Sequence, residues 1–210
     1  VEIQMAGVRF WGKDHVAARV PPRLSGAPET SVWQIYASED ATAVTFQADA
    51  AVTGLPSGTT MMDQGDVLEL EVGGTAAQPG DFFVSADKPV AVMNYMTGSS
   101  LAGGQGDPAQ VQMPPAEQFL DRYVVLVPAT WTDDYITITR ETGTMVSIDG
   151  TPVPDMDFVS VNPDWEVARV LVPDGVHVLE GAFPFGVVVT GITGVDSYAY
   201  TGGLGTSVIN

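Results

Sequence analysis

The sequence predicts an all-β protein built from two tandem antiparallel β-sandwich-like modules, with an internal repeat. Three observations predict it. Short runs of β-branched and aromatic residues alternate with Gly and Pro breakers along all 210 residues. No stretch long enough for a globular helix keeps an unbroken i, i+3, i+4, i+7 apolar pattern. The order of strand and turn signals in the first half recurs in the second.

In the first half, Val8 to Trp11 and His15 to Val20 read as strands, stopped by Pro21-Pro22. Val32 to Tyr36 is rich in β-formers. Thr42 to Phe46 alternates with period two, as a half-buried strand does. Residues 47–60 are small and polar, with Gly54, Pro56 and Gly58 as breakers. Val67 to Val72 alternates again and turns Glu69 and Glu71 outward. Phe82 to Val84 and Val90 to Tyr95 read as two strands, separated by a turn at Ser85 to Pro89.

In the second half, Tyr123 to Val127 is a near-continuous apolar run of the kind a doubly covered strand shows. Tyr135 to Thr139 alternates. Met145 to Ile148 meets Asp149-Gly150, the strongest hairpin signal in the chain. Residues 154–164 read as an acidic loop. Trp165 to Val172, Val176 to Leu179, Gly186 to Thr190 and the closing Ser197 to Thr201 complete the set. The best helical candidate is short, Ala116 to Arg122.

The two halves align in order. Trp11 to Pro22 resembles Phe119 to Pro128, and Val67 to Val72 resembles Val167 to Val172. Val44 and Phe46 match Val146 and Ile148, and Phe83 to Pro89 matches Val178 to Pro184. The expected organisation is a first module over residues 1–100, a Gly/Pro-rich connecting stretch over 101–118, and a second module over 119–210. In that scheme the stretch from Asp87 to Phe119 closes the first module, leads into the second and fixes the angle between them.

Composition excludes some functions. Apolar residues make up 45% of the chain, enough to bury a core. Twenty-six acids against eight bases give a formal charge of −18, which repels nucleic acid phosphates and anionic lipid headgroups. With no cysteine, disulfides and thiolate metal sites are ruled out. No apolar run approaches the ~20 residues of a membrane helix. The start at Val1, not Met, is what a processed or trimmed chain would show.

Several motifs taken in order resemble the bacterial branch of the IgGFc-binding protein N-terminal domain family. They are Ser85-Ala86-Asp87-Lys88-Pro89-Val90-Ala91-Val92, Gly106-Asp107-Pro108 and Pro114-Pro115-Ala116-Glu117-Gln118, followed by Asp134 to Ile138, Asp149 to Val153 and Ser197 to Gly203. The resemblance covers about Val32 to Gly203. It implies a module of large secreted or cell-surface proteins, linked in its animal namesake with antibody binding and mucosal adhesion, and no enzymatic activity. It carries no residue-level binding motif onto this chain.

No catalytic constellation stands out. His15 and His177 are the two histidines, each read as a strand residue, and Gly98 to Ala102 lacks the second glycine of a nucleophile elbow. An acid pair for glycoside hydrolysis is a minor alternative in so acidic a chain. Gly103-Gly104-Gln105-Gly106 lacks the ending of a phosphate loop and reads as structural. Asp155, Asp157 and Asp164 place hard oxygen ligands in one loop, a set suited to Ca²⁺, although the EF-hand pattern is absent and a solvated acidic loop is the plainer reading. Trp131, in a predicted loop beside Asp133 and Asp134, is the expected exposed aromatic and the expected ligand contact. Trp33 and Trp165 fall inside strands and read as core.

The functional expectation is a non-enzymatic extracellular binding or adhesion module whose partner is a protein or glycan. The alternative is a structural subunit of a surface filament or layer, forming homo-oligomers by edge-strand pairing, with a terminus such as Val1 to Met5 lying in a neighbour's sheet.

Overall fold

A computed structural model describes residues 3–209, and Val1 and Glu2 of the Val1–Met5 segment lie outside the described residues. The regular structure is almost wholly antiparallel sheet. The first module contains β1 (Gly12–Ala17), β2 (Ser31–Ala37), β3 (Thr42–Gln47), β4 (Thr60–Met62), β5 (Val67–Val72), β6 (Phe82–Met96) and β7 (Gln110–Met113). The second contains β8 (Leu120–Val127), β9 (Asp133–Glu141), β10 (Val146–Ile148), β11 (Thr151–Pro152), β12 (Phe158–Ser160), β13 (Trp165–Leu171), β14 (Gly175–Ile192) and β15 (Ser197–Thr201). Strand β7 lies inside the expected connecting stretch 101–118 and pairs with β6 in the first sheet.

Each module is one antiparallel sheet curled into two layers, and one long strand belongs to both layers. The early part of β6 pairs with β1 and β3, and the later part with β2 and β7. Strand β14 repeats this, pairing with β8 and β10 and then with β9 and β15. The sequence reads two strands and a turn in each place. The structure has one strand with a break in register, between Gly12 and Asp14 opposite β6 and between Glu180 and Phe185 on β14. Pro89 and Pro184 sit at these breaks. Proline cannot donate to a ladder, so a bulge is where a long strand can carry one.

The strand registers make the internal repeat residue-specific. Val44 opposes Ala86 as Val146 opposes Gly181. Ile35 opposes Val92 and Leu68 as Ile138 opposes Val187 and Ala168. His15, opposite Val84, therefore corresponds to Tyr123, opposite Leu179. Their polar roles match too. The His15 ring Nε2 lies 3.2 Å from the Val90 carbonyl, and the Tyr123 hydroxyl donates to the Phe185 carbonyl at 2.5 Å. Each pins the long strand where it crosses between layers. Burial lowers the pKa of His15 and keeps the ring neutral, as a single ring donor requires.

Each module has its own apolar core. Trp33, Ile35, Val44, Phe82 and Val92 anchor the first, with the Trp33 and Phe82 rings edge to face at 5.0 Å. Ile136, Ile138, Val146, Leu179 and Phe185 anchor the second. Between the modules, Val16 and Ala18 of the β1 side pack with Val161 and Val167 of the second module. Val188 and Ile192 of β14 join the first core directly. Buried Asp81 accepts hydrogen bonds from the Arg19 amide at 2.9 Å and, across the joint, from the Arg169 guanidinium at 2.5 Å. Arg19 and Arg23 converge on buried Glu29 and donate to carbonyls of Pro79, Thr97 and Gln105, knitting loops from separate parts of the chain. Burial pulls the Arg19 guanidinium down to about 10, against the charge of Glu29.

Local readings differ from the structure in four further places. Val8 to Trp11, expected as a strand, is a 3-10 turn over Val8–Phe10. The helical candidate Ala116 to Arg122 is a single 3-10 turn, Ala116–Gln118, because pairing of β8 with β14 captures the chain from Leu120. The acidic loop 154–164 contains edge strand β12, which pairs with β13. Short strand β4 begins at the last residue of the polar stretch 47–60 and pairs with β3. The Asp149-Gly150 hairpin forms as read: both residues have positive φ, 51° and 78°, as a primed turn demands.

Two outcomes follow. Arg169→Ala leaves Asp81 buried and without its charged partner, with its second oxygen already unpaired. The expected loss is about 3–5 kcal/mol, read from urea unfolding, as for the removal of one member of a buried pair. The second concerns His177, whose Nδ1 and Nε2 lie 2.7 Å from an Asp149 carboxylate oxygen and 2.8 Å from the Pro173 carbonyl. Both partners only accept, so the imidazolium fits best. Burial pulls the pKa of His177 down, but these bonds outweigh it and the net shift is upward. Asp149 is held low by the Val178 amide and by His177. The His177 contribution is present below about pH 6.5 and lost as pH rises through its raised folded value; the Asp149 contribution is present above about pH 4 and lost as pH falls through its lowered one. Melting temperature against pH should show this window, and His177→Gln should flatten its upper edge.

Candidate ligand-binding cleft

The joint between the modules leaves an open cleft of ≈ 580 Å³, lined by Asp14, Phe83, Glu141, Thr142, Pro163, Asp164 and Trp165. At Pro163 it meets a second hollow of ≈ 470 Å³ that includes Gln47, Asp49 and Asn162. Asp14 and Phe83 come from the outer face of the β1–β6 pair. Glu141 ends β9 and Trp165 opens β13, and the two stand opposite each other in the ladder.

The walls are held by local chemistry. The Ser85 hydroxyl donates to Asp14 at 2.7 Å and fixes that carboxylate. The Asn162 side-chain oxygen accepts from the amides of Asp164 and Trp165 at 3.0 and 2.9 Å. Its amide nitrogen donates across the joint to Gln47 at 3.2 Å. Phe83 stacks on Trp165 with 15° between planes, and Phe119 meets Trp165 edge-on at 5.7 Å. Trp165 is half-buried, so it is both a strut between the modules and part of the cleft floor. Three carboxylates around an aromatic floor favour a cationic group, by direct charge and by cation–π attraction.

The structure distributes the sequence-predicted residues differently. Trp131 is half-buried, with its ring edge-on to Tyr198 at 4.6 Å and its indole N–H out of solvent without a partner. Asp134 is buried and accepts from the Tyr198 hydroxyl at 2.7 Å, and burial raises its pKa. Gly191 makes room for this contact, since a Cβ there would lie 2.1 Å from the Tyr198 ring. Asp133 is exposed at the start of β9, beside a small hollow. Trp131 and Asp134 are thus brought together through Tyr198, with Asp133 on the opposite face of the strand.

Asp155, Asp157 and Asp164 do not gather into one set. Asp155 pairs with Arg140 at 2.7 Å, and that guanidinium also holds Glu166 at 2.7 Å and lies over the Phe158 ring. Asp157 is exposed on the same turn, and Asp164 belongs to the cleft. Among the described residues no group of three or more His, Cys, Asp or Glu side chains is placed to hold a metal ion. The two histidines lie apart, one inside the first module and one on β14 against the Asp149 hairpin.

Sequence reasoning passed over Trp165 because its strand setting reads as core. The missed signal is Asn162-Pro163-Asp164-Trp165: an Asx turn delivering an aromatic to the first position of a strand.

Among the described residues no helix is long and apolar enough to cross a membrane. No curated protein and no solved structure matches the chain. The family model described as IgGFc binding protein matches residues 1–191 and so runs through both modules. The chain belongs to the IgGFc-binding protein family.

Proposed function

We propose that this chain is a non-enzymatic extracellular binding module, part of a larger secreted or cell-surface protein, that takes a protein ligand through a cationic segment seated in the inter-module cleft. The observation that carries the reading is the cleft itself: Asp14, Glu141 and Asp164 around Trp165, at the joint of two modules that the family match over residues 1–191 runs through. The formal charge of −18 supports it, because an acidic surface speeds encounter with basic partners and weakens with salt. The family's name makes the Fc part of antibodies one protein to try. The non-enzymatic reading is supported by the histidines, whose partners are backbone carbonyls and the turn residue Asp149. A structural role in an assembly is a second reading, favoured by an apolar face left open on β8 and β14.

The test is an array of glycans and of proteins, immunoglobulin Fc included, probed with the whole chain. A protein ligand above background is expected. Glu141→Gln with Asp164→Asn, both at exposed positions, should weaken it about tenfold or more, as loss of well-placed charge pairs does. Retained binding by that double variant would sink the cleft as the site. Loss on Asp133→Asn alone would move it to the Trp131 region, and glycan-only binding would overturn the protein-ligand reading.

A further inference from the structure

The second module exposes an apolar face on β8 and β14. Val124, Leu126 and Val176 are 56%, 59% and 63% exposed, and Leu126 stands opposite Val176 in the ladder. The internal repeat says what such a face does. In the first module the corresponding positions are Val16, Ala18 and Asp81. They are all buried, at 3%, 3% and 0%, because the second module sits on them. What sits there is the outer face of β13, through Val167 and Arg169. The counterpart of that face in the first module is the outer face of β2 and β5, where Val67 corresponds to Val167 and Glu69 to Arg169. Val167 is fully buried, whereas Val67 is 48% exposed.

The chain therefore ends one module docking and begins another. One end carries an open socket, the β8–β14 face. The other carries an open plug, the β2–β5 face. One charge on the socket can meet the plug. Arg122, paired at 3.1 Å with exposed Glu180, borders the socket at the position corresponding to Asp14, and Glu69 and Glu71 line the plug.

We infer that a second copy of this chain docks head to tail on the β8–β14 face through its own β2–β5 face, repeating the contact that joins the two modules within one chain. The contact is heterologous: each copy gives one face and receives on the other, so nothing closes it and copies add into a linear array. It uses sheet faces, whereas strand-edge pairing would add a ladder. It does not depend on the cleft. The acidic surface opposes it at low ionic strength, so added salt strengthens the association while screening the repulsion.

Sedimentation velocity on the whole chain, from about 1 µM to about 1 mM, the range of weak specific contacts, tests this. The expected result is a concentration-dependent series of species running past the dimer. Leu126→Glu, at an exposed position, should keep the protein monomeric with an unchanged melting temperature, and Val67→Arg should do the same from the other face. Mixing these two variants should give a one-to-one dimer and nothing larger, since each retains one working face. The charge exchange Arg122→Glu with Glu69→Arg should restore what either change alone weakens. A monomer at every concentration overturns the inference. So does a dimer that stops at two copies and survives Val67→Arg, because that contact would be face to face with itself.

Discussion

A β-strand that belongs to two layers must break its own ladder, and this chain is organised around doing so twice. Strands β6 and β14 each pair on both layers of their module. The crossing costs backbone hydrogen bonds, and beside it the carbonyls of buried Val90 and Phe185 need partners. Proline at the crossing removes one donor outright. A polar side chain from the neighbouring strand satisfies a carbonyl, His15 in one module and Tyr123 in the other. Different residues perform the same task at the same place. The repeat is accordingly clear in register and faint in sequence identity.

The joint between modules follows from that geometry. The crossing turns the outer face of β1 and β6 toward the second module, and small apolar residues there, Val16 and Ala18, permit close packing. A buried carboxylate, Asp81, is acceptable because Arg169 reaches it from the other side. Removing one partner of such a pair is far more damaging than never having had the pair, so it specifies the arrangement more than it strengthens it. The cleft is the residue of this docking. Where the modules diverge, the same two faces leave Phe83, Trp165 and three carboxylates open to solvent. A binding surface so built has its shape set by the angle between the modules.

The binding and assembly readings rest on separate features. The cleft is acidic and aromatic, and suits a basic segment. The β8–β14 face is apolar and suits another copy of the chain. An array of copies would leave the clefts repeated along its length, so weak contacts at each would add through avidity.

The sequence by itself determined the class, the repeat and most strands. Period-two alternation and Gly/Pro punctuation are local signals, and the Asp149-Gly150 turn depends only on two residues that accept positive φ. The pairing of Val44 with Val146 and of Pro89 with Pro184 was legible for the same reason. What only the tertiary structure decided was non-local. Ser85 to Pro89 looks like a turn, and becomes a bulge because β1 pairs with the strand on either side of it, at Ser85 and again at Val90. Trp131 looks like an exposed loop aromatic, and is packed because Tyr198, far along the chain, comes to lie against it. Asp155 looks like a free ligand oxygen, and is taken by Arg140. Trp165 reads as core, and lines the cleft because the first module meets it on one side only, through Phe83. Alternation tells which residues share a face. Whether that face meets the core, the other module or solvent depends on where distant strands are brought, and no local pattern encodes it.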